Sequence, residues 1–559
     1  MAPLISKTTL LVSTSLASLA SCAFLERGIE TPTDLLEDVE RALGGTKRDD
    51  VEGRVAAFED LMRPTFLAMP RTKEDRLPSA SVRYLLHRAF VERHAWFVEG
   101  LVNGGEAWNE TSPVAVFARH GNGEAQGVFE RRLASEGGLT LRETAVLAST
   151  LESLIQEENV ERLRSAFRVM GLGLEASAHT EWQVQQAVDN YMLMFVLGMN
   201  HSVVTPQLME RTWRNIARIY PTWPTTRKWV REVREEVVRE APEARTSLVS
   251  TLRVLEVMAS RYGRWQDSEC LAMKQDLVQL EKAGSGRVLL RDFYEAALFG
   301  GYQFMEKKPF LRQLGVLDES VSAQPSVVIP NYMNAATNCM AGSKFYSVCC
   351  MNECEPLLKT LEQHVGAPGA LPGTIVEVVE RLPSSTVDVP RSLDASLVER
   401  LEGIAEHHGG TVPLHGRLFA QWMHHAYPRE CPYPHLSGTT QQMTSSKYAR
   451  ETGESSALDH DGLLWEVEVH LQGERAGRVS ALALEGEEAS TPRLPWSTEE
   501  EVFTHTPATS SGSSLSRWHS YTSSSMMALA IGSLAVWAWR AASGPKALLS
   551  KSARAKFAV

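Results

Sequence analysis

Several common enzyme signatures are missing from this 559-residue chain. The glycines of "AGSGR", 283 to 287, have no Lys-Ser or Lys-Thr after them, so no phosphate-cradling loop is expected. No Gly-x-Ser-x-Gly elbow occurs, and "SGSS" near residue 511 sits in a low-complexity stretch instead of a strand–turn–helix setting. No two histidines stand four apart on a helix as in zinc proteases, and no two spaced Cys-x-x-Cys knuckles are present. Positive charge is in deficit, with 57 Lys and Arg against 68 Asp and Glu and a net charge of -11. Without a basic stripe interleaved with aromatics, this balance argues against nucleic acid as a partner. Up to about Leu317 no run of alternating strands is visible either, and the chain reads as mainly α.

What is present begins with two apolar ends. Lys7, the apolar run Thr8 to Leu19 and the small residues Ser21-Cys22-Ala23 read as a signal peptide over 1–23. Two processing routes fit: acylation of Cys22 in a lipoprotein-like "LASC", or cleavage after Ala23 ahead of Phe24. The acidic residues after Phe24 argue against a plastid transit peptide. Near the other end, "MMALAIGSLAVWAW" spans about 21 Å as a helix, short of a bilayer core of about 30 Å. Extended to 521–542, with Arg540 snorkelling, it becomes a single-pass transmembrane helix. The acid-free tail 543–559 then faces the cytosol, and the bulk of the chain is lumenal or extracellular.

Between these ends four regions are expected. Residues 24–245 form a helical region, with apolar three- and four-residue spacing in "SVRYLLHRAFVERHAWFVEGL" and "TAVLASTLESLIQEENVERLRSAF". Residues 246–326 carry an EF-hand-like unit, and 327–435 a Cys/His-rich helical domain. Residues 436–520 read as a low-complexity stalk interrupted by a small β-hairpin at 463–484, where apolar and polar residues alternate around a glycine. After signal removal six cysteines remain: Cys270, Cys339, Cys349, Cys350, Cys354 and Cys431. In an exported chain such an even set reads first as disulfides, with adjacent Cys349 and Cys350 pairing to different partners. Asn109 and Asn200 stand in glycosylation sequons.

Three stretches share one form, glycine followed two positions on by Leu or Val and then by a helix start: "GGLTLRE" from 137, "GRVLLRD" from 286 and "GTVPLHG" from 410. The middle copy lies in "DSECLAMKQDLVQLEKAGSGRVLLRDFYEAAL", which resembles an EF-hand with a twelve-residue loop from Glu281 to Asp292. Gly286 falls at the sharp turn and Val288 at the apolar position, but the ligand positions hold Glu281, Ala283, Ser285 and Asp292. Calcium takes about six to eight oxygens, and this set offers too few. The copy at 405–416, with Ala405, His407 and Gly409 at those positions, is poorer still. "SRYGRWQDSEC", "PNYMNAATNCMAGSKFYSVCCMNEC" and "HGRLFAQWMHHAYPRECPYPH" together resemble a group of uncharacterised secretory membrane proteins of algae and related protists. That resemblance implies a eukaryotic secretory protein and no particular activity.

The last of these stretches, 415 to 435, is the densest in chemistry-bearing side chains. A helix from Gly416 to Ala426 puts Leu418, Phe419, Trp422 and Ala426 on one face and turns His424 to the opposite side. His415 and His425 then lie about 15 Å apart along the axis, whereas ligands stand about 2 Å from a shared ion. A metal site of His415, His425, Cys431 and His435 therefore needs the chain to fold back. Three functions follow in order. The first is a binding or structural ectodomain, with a protein partner and no required cofactor. The second is a zinc- or copper-dependent lumenal enzyme using those four residues. The third is a calcium-responsive module using Glu281, Ser285 and Asp292.

Overall fold

The computed structural model describes residues 48–98, 100–101, 127, 129–131, 137–174, 179–240, 242–281, 284–300, 303–321, 324–340, 342–482 and 496–501. All lie within the compact unit Met1–Thr506. The expected signal 1–23, Cys22, Asn109, the anchor 521–542 and the tail 543–559 lie outside the described residues. Among the described residues no helix is long and apolar enough to cross a membrane.

The chain is mainly helical, with a few short strands. Helix starts follow local chemistry. Leu141–Arg168 (α3) opens in a capping box: the Thr140 side chain accepts from the Glu143 amide, and the Glu143 carboxylate accepts from the Thr140 amide. Glu181–Val196 (α4) repeats the device with Thr180 and Gln183. These two helices pack with Arg48–Leu67 (α1) and Ser79–His94 (α2), followed by Pro206–Ile219 (α5) and Trp223–Glu240 (α6). The expected helix over 81–101 stops early. Ala95 takes φ 56°, and Trp96–Val98 (β1) runs antiparallel to Tyr346–Val348 (β5). The stop comes from ring packing, with Trp96 stacked between His94 and Tyr346 at centroid distances of 4.1 and 4.5 Å.

Leu248–Leu280 (α7) is 33 residues long, about 50 Å at the helical rise. Its first half buries Val254, Leu255, Met258 and Tyr262 in the N-terminal core, and its second half buries Cys270, Met273 and Leu277 in a middle core. One helix therefore braces two cores. The middle core contains Arg287–Leu289 (β2), Leu290–Gly300 (α8), Lys308–Gln313 (α9), Leu317–Asp318 (β3), Ser326–Val328 (β4) and Ile329–Met333 (α10). A third core gathers Cys354–Val365 (α11), Gly369–Ala370 (β6), Pro372–Val379 (α12), Ala395–His407 (α13), Val412–Pro413 (β7) and Arg417–Ala426 (α14).

The three glycine copies occupy equivalent places. Leu139 bridges antiparallel to Leu77, Val288 pairs with Val327, and Val412 with Ala370. In each copy the glycine has a positive φ, 70° at Gly137, 69° at Gly286 and 105° at Gly410. The middle and third pairings each join two helix–loop–helix units back to back: α7–β2–α8 with α9–β4–α10, and α11–β6–α12 with α13–β7–α14. The EF-hand-like unit expected at 246–326 is thus one half of a pair.

Two expectations for 436–520 are corrected. Residues 436–482 do not form a stalk: Met443, Tyr448 and Leu463 are buried in the middle core. Nor do residues 463–482, the described part of the hairpin expected at 463–484, form one. His460–Leu482 (α16, after Ser445–Thr452, α15) is one helix lying along α8. The alternation of Trp465, Val467 and Val469 misled, because Trp465 is 63% exposed while Leu463 and Val467 face the core at four-residue spacing. An isolated two-stranded hairpin is at best marginally stable in water.

Three disulfides tie the helical frame. Cys270 pairs with Cys350, Cys339 with Cys349, and Cys354 with Cys431. Neighbouring Cys349 and Cys350 do diverge to different partners, one bond closing a separation of 10 residues and the other of 80.

Candidate functional site

The four proposed metal ligands are not brought together. His415, fully buried, sets its Nε2 2.7 Å from a Glu362 carboxylate oxygen. His425 stacks on Trp496 at 6.0 Å. Cys431 is consumed by its disulfide, and His435 donates from Nε2 to the Gly315 carbonyl at 2.6 Å. Among the described residues no group of three or more His, Cys, Asp or Glu is placed to hold a metal ion. The physical reason is the return of the chain after α14, which carries Cys431 back to α11 and sends His435 on to the middle core.

His424 also departs from expectation. It is buried, because the segment 431–433 covers the back of α14, and its Nδ1–H donates to the Cys431 carbonyl at 2.7 Å. Burial, reinforced by the nearby Arg287 cation, pushes its pKa down to about 3, so the ring is neutral. Trp422 donates from its indole to the Leu397 carbonyl at 2.8 Å, fixing α14 against α13.

Glu362 is the centre of a buried polar cluster. It accepts from Thr65 at 2.7 Å and from Arg88, and Arg88 also binds Glu355. Burial alone would raise the Glu362 carboxyl, yet Arg88 and His415 outweigh it and hold the pKa at about 2. The cluster joins α1, α2 and α11 to the loop before α14, so it locks the first core to the third.

Glu281, the first residue of the loop expected at 281–292, is already engaged by the rest of the chain. The Glu281 carboxylate accepts from the Gly286 amide at 3.0 Å through one oxygen. Its other oxygen accepts from the Arg429 guanidinium, with Nε at 2.7 Å. Gly286 is required here, since a Cβ would sit 2.0 Å from the Pro428 carbonyl oxygen. Asp292 pairs with Arg291, and Ser285 binds the Arg287 amide. In the paired half, the Asn331 side chain of α10 clasps the Tyr433 backbone: Oδ1 accepts from its amide at 2.7 Å and Nδ2 donates to its carbonyl at 2.9 Å.

The loop 405–416 is completed by a remote segment. In the register that puts Gly286 sixth, Gly416 falls twelfth, where an EF-hand carries its bidentate Glu. Gly416 is instead the N-cap of α14 and has no capping side chain. The Glu500 carboxylate lies over it, 3.2 Å from where a Cβ would be, and accepts from the Leu418 amide at 3.1 Å. Its second oxygen meets His408 Nε2 at 2.7 Å. A helix N-terminus that lacks its own cap is thus capped from 84 residues downstream, from Gly416 to Glu500.

Glu500 belongs to the segment 496–501, which is in neither helix nor strand and lies across α14. Arg417 donates to the Ser497 carbonyl at 3.3 Å and to the Glu499 carbonyl, with Nε at 2.7 Å. Gln421 clasps the Ser497 backbone, donating to its carbonyl and accepting from its amide, both at 3.2 Å. Trp496 sits against His425 on one side and under the Arg400 guanidinium, 5.0 Å away, on the other. A cavity of 1240 Å³ lined by Leu397, Arg400, Ile404, His407 and Leu418 opens beside Trp496.

Sequence reasoning missed Arg429, Arg417 and Glu500. The one local signal was Gly416 at a helix start without a capping side chain. Asn200, one of the two sequons, is exposed and accepts from the Ser202 amide at 3.1 Å. No protein-family model, curated protein or solved structure matches the chain.

Proposed function

We propose that this chain is a binding or scaffold ectodomain of an exported, membrane-anchored protein, built on helix–loop–helix pairs that its own side chains hold shut. The observation that carries this reading is the Arg429 guanidinium on Glu281. The first carboxylate of the most EF-hand-like loop is already neutralised, so the frame serves as architecture and not as a calcium switch. Three disulfides support an oxidising, secretory compartment. The likeness of the Cys- and His-rich stretches to algal and protist secretory proteins supports the same compartment. The apolar runs at 1–23 and 521–542 support export and a single-pass anchor, with the tail 543–559 in the cytosol.

Two measurements test the proposal. Calcium at 1 mM is expected to add less than about 0.1 kcal/mol to folding, the linkage for a Kd above about 10 mM. A rise in melting temperature with calcium, or one tightly held transition metal per purified chain, overturns it. In cells, glycan on Asn200 and protease protection of the body with an accessible C-terminal tag are expected. A cytosolic body with free thiols defeats the export half.

A further inference from the structure

We propose that the groove between α13 and α14 is a peptide-recognition site, and that residues 496–501 are its built-in ligand, a releasable segment with the chemistry of the partner it binds: in neither helix nor strand, with a Trp and a Glu four residues later. This deepens the binding-module reading and leaves the calcium test untouched, so either can fail alone.

The groove is made to read a backbone. Arg417 is 1% exposed and Gln421 is fully buried, yet most of their acceptors and donors are main-chain groups of Ser497 and Glu499. Apart from the segment, the Arg417 side chain bonds only Gln421 and the Pro434 carbonyl, and Gln421 only Arg417 and Tyr433, so the segment supplies most of what these two side chains bind. Main-chain bonding supplies affinity in this mode, and side-chain pockets supply specificity. Two pockets do so here. Trp496 is held between the His425 ring and the Arg400 cation. Glu500 takes the uncapped start of α14 together with His408. A Cβ at Gly416 would stand 3.2 Å from that carboxylate and crowd it.

The occupant is held in the groove by non-covalent contacts. It is joined through residues 483–495 to α16, which packs in the middle core and not in the third. No cysteine lies beyond Cys431, so no disulfide retains it. Because occupant and groove belong to one chain, their association is intramolecular, with an effective concentration on the order of 1 mM. A free peptide binding at about 1 μM then faces roughly a thousandfold competition from the segment in cis. The cavity of 1240 Å³ beside Trp496 leaves room for bulkier flanking residues on an incoming partner.

The test uses the full chain and a fluorescent peptide of residues 492–503, PRLPWSTEEEVF. Full-length protein carrying Trp496→Ala and Glu500→Gln is expected to bind the peptide at least about tenfold more tightly than wild type, which is self-occupied. Peptides with Ala in place of Trp496, or Gln in place of Glu500, should lose at least about tenfold in affinity. Equal binding by wild type and variant, or tight binding of the Trp-less peptide, overturns the proposal. A second measurement does not depend on that variant folding. A protease site placed within 483–495 is cut in otherwise native protein. The severed C-terminal fragment should stay bound and be released by excess peptide, but not by the Trp-less one. A fragment that cannot be displaced, or whose release ignores peptide sequence, also overturns it.

Discussion

Loop 281–292 and loop 405–416 are the same device closed in two ways. Each has a glycine turn and an apolar residue paired antiparallel to its neighbour loop, and each meets a group from elsewhere in the chain. The first receives a cation, Arg429, from a turn fastened by Cys431. The second receives an anion, Glu500, from a segment fastened by nothing covalent nearby. A missing calcium ligand set does not leave the geometry empty. Whatever charge the loop has lost or kept decides what fills it, and the way that filler is tied decides whether it can leave.

Cutting the tie of the first loop is expected to have the largest effect. Cys354→Ser with Cys431→Ser opens a bond spanning 77 residues, which the chain-entropy relation values at about 4.5 kcal/mol. Denaturant unfolding under oxidising conditions measures it. A loss below about 1 kcal/mol would mean that the turn carrying Arg429 is held without the bond.

Acid titration probes the other end of loop 405–416, where His415 rests on Glu362. That carboxyl is held down at about 2 in the fold, against an ordinary value of 4.5. A depressed acid stabilises the fold above its unfolded pKa and loses that contribution as pH falls through its folded one. Stability should therefore drop between about pH 4.5 and pH 2, by on the order of 3 kcal/mol from this group. Glu362→Gln should lower stability at neutral pH and flatten that limb. An unchanged acid limb would show that the Arg88–Glu362–His415 cluster is not what acid breaks.

Arg429→Met strands the buried Glu281 carboxylate, and a cost of about 2 to 3 kcal/mol is expected, discounted because Arg429 is a quarter exposed. Adding Glu281→Gln should recover part of the loss. Additive costs in that double-mutant cycle would mean that the guanidinium does not act as the cation of the loop.

Glu500→Gln, the counterpart in the second loop, removes a helix cap and should cost only about 1 kcal/mol. An effect as large as that of Arg429→Met would erase the distinction between a fixed plug and a releasable one.

Much of the frame was legible from the residues alone. Three- and four-residue apolar spacing marks the helices because that signal acts within a few residues. The three Gly-x-Leu/Val copies mark the paired turns, since glycine is needed where φ turns positive. The helix over 417–426 and its buried Leu418, Phe419 and Trp422 follow from periodicity in the same way. The strand at 96–98 and the helix at 460–482 were not legible. In both, tertiary neighbours overrode the local pattern: a ring stack in one and the face of α8 in the other.

Sequence alone, then, determined that this is a helical chain with repeated glycine turns and six cysteines suited to bridging. Which cysteines pair, where the histidines go, and what fills each loop were decided only in three dimensions. Arg429 and Glu281 are 148 positions apart, and Arg417 and Glu499 are 82 apart. A charge at such separation leaves no local trace of its partner, because the pair exists only after the cores have closed and removed the water that would otherwise solvate each group.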